Sequence, residues 1–311
     1  MKIMITGGAG FIGSHLCDEF VRTNNQVIVI TRSTTSLDRI SHLKDKITIE
    51  RADVTDYDDL GRIIAKHSPE VIIHLAGETS HSKSFENPLY DLDVNTKSTL
   101  YILEKIKQLN LKCRFILGST FIVIGRPQEL PVTEQSVCNP TTIYGANRLA
   151  SEVYCKIYHN VYGIDAIIFR ITNSFGPREQ LIPSQNTINF LIHKAFKKEP
   201  IPIFDKGNFF KDVVYVSDVV SAISTIMEKG KPGELYWISS GNKTWFYDLG
   251  SWLEELTGTK VQYVESPRYT KKTDVGNFVV DNSKLKSLGW NIQTPVKDGI
   301  KKTLDYFAKL G

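Results

Sequence analysis

Tyr144 and Arg148 stand four residues apart in TTIYGANRLASE, residues 141–152. On a helix this spacing stacks the two side chains one turn apart on one face. A phenol against a fixed cation is a candidate acid–base group. A free tyrosine ionises near pKa ~10, too high for a base at neutral pH, and an adjacent positive charge favours the phenolate. Such a group suits a reaction in which an oxygen of the substrate must lose or gain a proton. Arginine keeps its charge but releases no proton in any accessible range.

A second motif suits an anionic cofactor. Gly8, Gly10 and Gly13 in GGAGFIGSHL match G-x-G-x-x-G, and Gly7, Gly10 and Gly13 match G-x-x-G-x-x-G, with Phe11 and Ile12 inside the motif. One glycine permits the tight turn, one lets the backbone approach a pyrophosphate, and one lets the helix pack against its strand. The anion then sits on the helix N-terminus. At the end of the second strand, a site for NAD usually carries an acid that holds the ribose 2′-hydroxyl. QVIVITRSTTSLDR instead offers Thr31, Arg32 and Ser33, with no carboxylate before Asp38. An arginine beside hydroxyls suits a 2′-phosphate, so NADP(H) is the expected cofactor and NAD(H) the alternative. Asp53 in RADVTD is placed to accept from an adenine amine or to cap a turn, with Val54 beside it.

These residues need a scaffold. KIMIT, QVIVIT, KITIE, EVIIHLA, CRFILGS and DAIIFRI are short apolar runs of the kind buried on both faces of a parallel sheet. Amphipathic stretches alternate with them, including one after Asp56, a plausible N-cap, and one ending at Gly163, a C-cap. The expected fold is α/β: a Rossmann doubly wound parallel sheet with a smaller C-terminal substrate lobe. The expected boundaries are 1–174 for the Rossmann domain, rejoined by 212–240, with 175–211 and 241–311 as the lobe. The chain has 311 residues, 41% of them hydrophobic, and a net charge of +4. That charge is spread out, unlike the basic patch of a nucleic-acid binder. Cys17, Cys113, Cys138 and Cys155 form no C-x-x-C pair, so a metal site is not expected and a reducing, cytoplasmic location is. No leader pattern and no run of ~20 apolar residues is present.

The sequence resembles the extended short-chain dehydrogenase/reductases of the nucleotide-sugar epimerase/dehydratase type. The likeness spans nearly the whole chain and rests on TGGAGFIGSHL, HLAGETSHSKSFENP, DVNTKSTLYILE, YGANRLASE, RITNSFGPR, KDVVYVSDV and DNSKLKSLGW. It implies a tyrosine acid/base, here Tyr144, and a Ser/Thr partner, here Thr120 in GSTFIVIG. It also implies a lysine, and Arg148 stands at that position. TRSTTSLDRISHL resembles the cofactor loop of NADP-using members. Leu75, Ala76, Gly77 and Ile171 complete the expected cofactor set, with Gly77 in place of the commoner alanine. Asn95 is expected to tie a helix to the site, and His74 to be packed.

The likeness also frames the reaction. Dehydratases of this type carry an Asp-Glu pair after the Ser/Thr, and decarboxylases tend to carry a glutamate. This chain has Phe121 and Ile122 there. Redox at a single carbon, C4, is left: a nucleotide-sugar 4-dehydrogenase or 4-ketoreductase as the leading expectation, a 4-epimerase as the alternative, and a catalytically silent NADP(H)-binding regulator as a third. The expected substrate is a nucleotide-diphosphate sugar, held by Ser80, His81, Thr120, Asn173, Lys211 and Lys271. Relatives commonly dimerise through two helices, here 91–110 and 142–162, so a homodimer is expected, with no nucleic-acid or membrane partner.

Overall fold

The computed structural model describes residues 1–179, 187–266 and 274–310. Six strands alternate with helices through the first half: β1 (Lys2–Thr6), β2 (Gln26–Thr31), β3 (Ile47–Arg51), β4 (Val71–His74), β5 (Arg114–Thr120) and β6 (Ala166–Ile171). The short strands β7 (Asn173–Phe175), β8 (Ile201–Phe204), β9 (Phe210–Lys211) and β10 (Val213–Tyr215) come next, then β11 (Leu235–Ile238). The main sheet has seven strands in the order β11-β6-β5-β4-β1-β2-β3. Its ladders from β3 to β5 are all parallel. The order reverses between β1 and β4. A doubly wound sheet opens its ligand crevice at such a reversal, beyond the carboxyl ends of the strands.

Burial explains why these runs are strands. Ile3, Met4 and Ile5 of β1, Ile72 and Ile73 of β4, and Phe115, Ile116 and Leu117 of β5 are completely buried. Side chains on both faces of these strands are covered, which only a sheet flanked by helices on each side provides. β3 lies at the edge and is half-buried.

The helices are α1 (Phe11–Arg22), α2 (Tyr57–His67), α3 (His81–Glu86), α4 (Pro88–Leu92), α5 (Ser98–Gln108), α6 (Ile143–Tyr162), α7 (Thr187–Phe196), α8 (Val216–Lys229) and α9 (Phe246–Thr257), followed by Ser283–Lys286 and Val296–Leu310. The Asp56 side chain accepts from Asp59 N and caps α2. Gly163 closes α6 with φ +68°. The sequence pattern suggests one unbroken helix over 91–110. The structure instead inserts a π-turn at Asp93–Lys97 between α4 and α5. Such bulges recur at functional sites, and this one carries Asn95.

The chain divides into two compact units, Met1–Thr120 with Thr142–Arg170 and Ile223–Tyr236, and Phe121–Thr141 with Ile171–Ala222 and Trp237–Gly311. The segment that returns to the first unit is shorter than the 212–240 expected from sequence, and 121–141 falls in the second. Inside the second unit, β7 pairs with β10 and β8 with Val261–Val264. Among the described residues, no helix is long and apolar enough to cross a membrane.

Candidate active site

Where β1 runs into α1, Gly7 has φ +73°, a conformation that side chains disfavour. Gly10 N donates to Gly7 O at 2.9 Å. A Cβ on Gly13 would lie 2.3 Å from Gly7 O, so a side chain there would force the helix off its strand. The N-cap of α1, Gly10, makes no side-chain capping bond. The first-turn amides, including those of Phe11 and Ile12, are thereby suited to an anion.

At the end of β2, Thr31 is buried and Arg32 and Ser33 are exposed. Arg32 Nη1 donates to the Tyr90 hydroxyl at 3.0 Å. A second cation, which the sequence reading did not single out, fastens this loop: Arg51 Nη1 donates to Arg32 O and Thr35 O at 2.7 and 2.9 Å. Asp53 Oδ1 accepts from both Thr55 N and Thr55 Oγ1, at 2.9 and 2.8 Å. These bonds close the turn with Oδ1. Val54 is buried beside it.

Tyr144 and Arg148 lie in the first two turns of α6, whose N-cap, Thr142, accepts from Gly145 N at 3.0 Å. Both are buried, with Arg148 only 2% exposed. The guanidinium carbon lies 5.9 Å from the Tyr144 ring centroid. Arg148 Nη1 donates to Gly118 O at 3.1 Å and Nη2 to Ala76 O at 3.3 Å. The cation is thus pinned to the strand ends of β4 and β5, with no carboxylate paired to it among the described residues. Thr120, the last residue of β5, is also buried. The His81 ring stacks on Tyr144 with centroids 5.8 Å apart.

Two buried atoms here have no hydrogen-bond partner among the described residues, Arg148 Nε and Asn95 Oδ1. A buried donor and acceptor left open are costly unless a ligand completes them. With the glycine cradle, they fit a dinucleotide that brings hydroxyls to this point. Gly7, Gly10, Gly13, Leu75, Ala76, Gly77 and Arg148 are the residues that would hold it. Among the described residues, no group of His, Cys, Asp and Glu is arranged for a metal.

The sequence reading missed what holds α6 in place. Arg170 on β6 forms a two-pronged pair with Glu152, at 2.9 and 2.7 Å, and Ser119 Oγ donates to the same carboxylate at 2.5 Å. Asn147 donates to Asp91 Oδ1 at 2.7 Å, Thr96 to Asn147 O at 2.9 Å, and Ser151 to Asn95 O at 2.7 Å. The last bond uses a carbonyl of the π-turn. Glu152 and Asn147 lie inside YGANRLASE. Their polar types, five residues apart in a stretch that also carries Tyr144 and Arg148, were the available signal.

His74 is packed, as expected. Ser98 Oγ donates to Val94 O at 2.5 Å, so it accepts from His74 Nε2 at 3.1 Å. Thr6 Oγ1 accepts from Ala76 N at 3.1 Å and donates to His74 Nδ1 at 2.7 Å. Every proton is assigned and the ring is neutral. Burial, then the nearby Arg148 charge, hold its pKa down at about 3.

The expected sugar and phosphate ligands fare unevenly. Ser80 is 2% exposed and its hydroxyl caps α3, accepting from Lys83 N at 3.3 Å. The same hydroxyl lies 3.1 Å from Ser82 Oγ, and His81 is the group of this pair beside the tyrosine. In the second unit, Lys211 is buried and donates to Asp274 Oδ1 at 2.7 Å and Gly276 O at 2.6 Å. It works there as a clip. Asn173 Nδ2 donates to Asp212 O at 3.2 Å. Ile171 ends β6, half-buried. Lys271 lies outside the described residues. Ile122 is buried, and Phe121 packs edge-on against Phe278 at 5.1 Å.

Both the sequence and the fold have known relatives. Residues 4–303 match the family described as GDP-mannose 4,6 dehydratase. The chain belongs to this family. It is thereby an enzyme of the extended short-chain dehydrogenase/reductase class. A protein of Methanocaldococcus jannaschii described as a putative UDP-glucose 4-epimerase is 33% identical over 98% of this chain and 97% of its own length. The UDP-glucose 4-epimerase of Thermotoga maritima, solved with UDP-glucose, superposes with a TM-score of 0.92 at 30% identity, covering 100% of this chain and 99% of that one. A UDP-glucuronic acid 4-epimerase of Bacillus cereus, solved with UDP-glucuronic acid and NAD, has a TM-score of 0.86 at 26% identity and covers each chain fully. Membership in this family makes the cofactor of the glycine cradle a nicotinamide dinucleotide, and NAD is the form bound by the last of these relatives.

Proposed function

We propose that the enzyme moves hydride to and from C4 of the sugar of a nucleotide-diphosphate sugar, without eliminating water. The observation that carries this reading is the buried Tyr144–Arg148 pair on α6 with Thr120 at the end of β5, followed by two apolar residues. The bound nicotinamide supplies the hydride acceptor and donor. Tyr144 takes the proton of the C4 hydroxyl as that carbon is oxidised and returns it on reduction. Thr120 holds the same oxygen by hydrogen bond. Arg148 stabilises the phenolate by charge alone, since a guanidinium cannot pass protons. Elimination across two carbons needs a further acid and base, and Phe121 and Ile122 supply neither.

This chemistry has two outcomes. A dehydrogenase or ketoreductase exchanges its cofactor, whereas a 4-epimerase returns the hydride to the other face of the same sugar. The likeness to two solved 4-epimerases favours the second outcome. Arg32 and Ser33, with Arg51 beside them, favour NADP(H) and so the first. Arg32→Ala should raise the KM for NADP roughly tenfold or more and leave that for NAD within about twofold, as loss of a charge-assisted phosphate contact does. Equal effects on both cofactors would dismiss the 2′-phosphate role.

A homodimer is part of the same proposal. Val153, Ile157 and Val161 lie along one face of α6 and are 47%, 43% and 64% exposed, an apolar stripe suited to a second copy. Four free cysteines, three of them buried, fit a reducing compartment such as the cytoplasm. Light scattering would read the dimer. Product analysis with GDP-, UDP-, dTDP- and CDP-sugars would test the reaction.

A further inference from the structure

The space above the Cα of Gly77 is filled by the neighbours of that glycine. A Cβ built there would lie 1.9 Å from Arg148 Nη2, 3.0 Å from Arg148 Cζ and 2.5 Å from Asn95 Oδ1. The backbone does not require glycine: the φ of Gly77 lies outside the left-handed region, unlike that of Gly7 or Gly125. A side chain at 77 is excluded by what stands over it. The two Arg148 atoms in the way both belong to the planar fork. A lysine ends in a single ammonium and has no such fork.

We propose that Gly77 is a positioning residue for Arg148: the missing side chain at 77 is the space in which the guanidinium reaches its two carbonyl acceptors. Toward the acid–base pair, Gly77 acts through the arginine, whose fork occupies the space over its Cα. With the space open, Nη1 and Nη2 bond to Gly118 O and Ala76 O and the charge stays beside the Tyr144 ring. A methyl group at 77 evicts the end of a flexible side chain, which the fold tolerates, but the displaced cation loses both acceptors. Glycine at 77 and arginine at 148 therefore work as one unit. This inference rests on the reading of Arg148 as the cation of the acid–base pair.

Four full-length proteins test it: the natural chain, Gly77→Ala, Arg148→Lys and the double variant. Each is measured for thermal midpoint, for reduced-cofactor affinity by fluorescence, and for kcat and KM. In the arginine background, Gly77→Ala should lower kcat by about 100-fold, the scale of a catalytic group moved by about 1 Å, with a smaller change in KM. In the lysine background the same substitution should cost less than about threefold, a coupling that a double-mutant cycle isolates. If Gly77→Ala does not fold, Arg148→Lys should restore its thermal midpoint. Equal losses from Gly77→Ala in both backgrounds, in kcat or in midpoint, would overturn the proposal and make Asn95 the group that senses the methyl. The coupling in midpoint and cofactor affinity is independent of the sugar. A wrong substrate assignment would therefore appear as absent turnover in all four proteins with the coupling intact.

Discussion

Substituting His74 by glutamine should remove a pH dependence of stability that the structure assigns to one ring. The folded chain holds this imidazole at about 3 against an ordinary value of 6.5. The folded state therefore binds its proton less well than the unfolded state. The stability from the neutral ring is fully present above about pH 6.5 and is lost as pH falls below it, until the folded value is reached. At about pH 5 the loss comes to roughly 2 kcal/mol, from ~1.4 kcal/mol per pH unit over ~1.5 units. Glutamine keeps an amide donor for Ser98 but takes the acceptor away from the Thr6 hydroxyl, a pH-independent cost of about 1–3 kcal/mol. At about pH 7.5 the variant should be the less stable protein, and at about pH 5 the gap should shrink by ~2 kcal/mol or reverse. Contributions common to both proteins cancel in the gap. Denaturant unfolding followed by circular dichroism at the two pH values reads the gap. Far-ultraviolet signal is the right probe because all four tryptophans lie in the second unit and His74 in the first. A gap that stays constant with pH would refute the neutral, doubly bonded ring.

Tyr144→Phe should fold, retain the cofactor and lose ~10²–10⁴-fold in kcat, the usual contribution of a positioned acid/base; unchanged turnover would remove the tyrosine from the chemistry. Glu152→Gln leaves the buried Arg170 without its anion and should cost about 3–5 kcal/mol in stability. Because Glu152 also fastens α6 to β5, kcat should fall even where the variant is folded, and a purely thermal effect would detach this network from the site. Asp212 accepts from Ser240 N, Ser240 Oγ, Gly241 N and Val280 N at 2.8, 2.8, 3.1 and 3.2 Å. Burial nevertheless pushes its carboxyl up to about 6. The folded chain thus holds this proton more tightly than the unfolded one, so the contribution to stability falls as pH rises from about 4 to about 6 and is level above that. Relative to Asp212→Asn, the natural chain should lose stability over that window, and parallel curves would contradict the shift.

The sequence shows most clearly what depends on backbone form. The glycine spacing of 7–13, the buried runs of β1, β4 and β5 and the cap residues Asp56 and Gly163 each follow from a local rule and are where that rule puts them, whereas KITIE, expected to be buried on both faces, forms the half-buried edge strand β3. The Tyr144–Arg148 pair was legible because i and i+4 share a helix face. What stayed hidden depends on tertiary partners. Ser80 reads as a sugar ligand, and that its hydroxyl also caps α3 shows only in the fold. Lys211 reads as a phosphate cation, and nothing local announces its ion pair with Asp274, 63 residues later. The π-turn at 93–97 leaves no mark in the hydrophobic pattern, since one inserted residue shifts the register only from there on. Gly77 was visible as a departure from alanine, but its cause, a guanidinium from α6, was not.

The central claim is redox at C4 without loss of water, and product analysis tests it most directly. The purified enzyme with its cofactor would be given UDP-, dTDP-, GDP- and CDP-sugars in turn. The reduced-nicotinamide absorbance and the NMR signals of sugar C4 and C6 would be followed together. The account predicts that with one of these nucleotides only C4 changes, to a ketone or to the epimer, while the C6 hydroxymethyl group is retained. A C6 methyl group, the mark of dehydration, would contradict it.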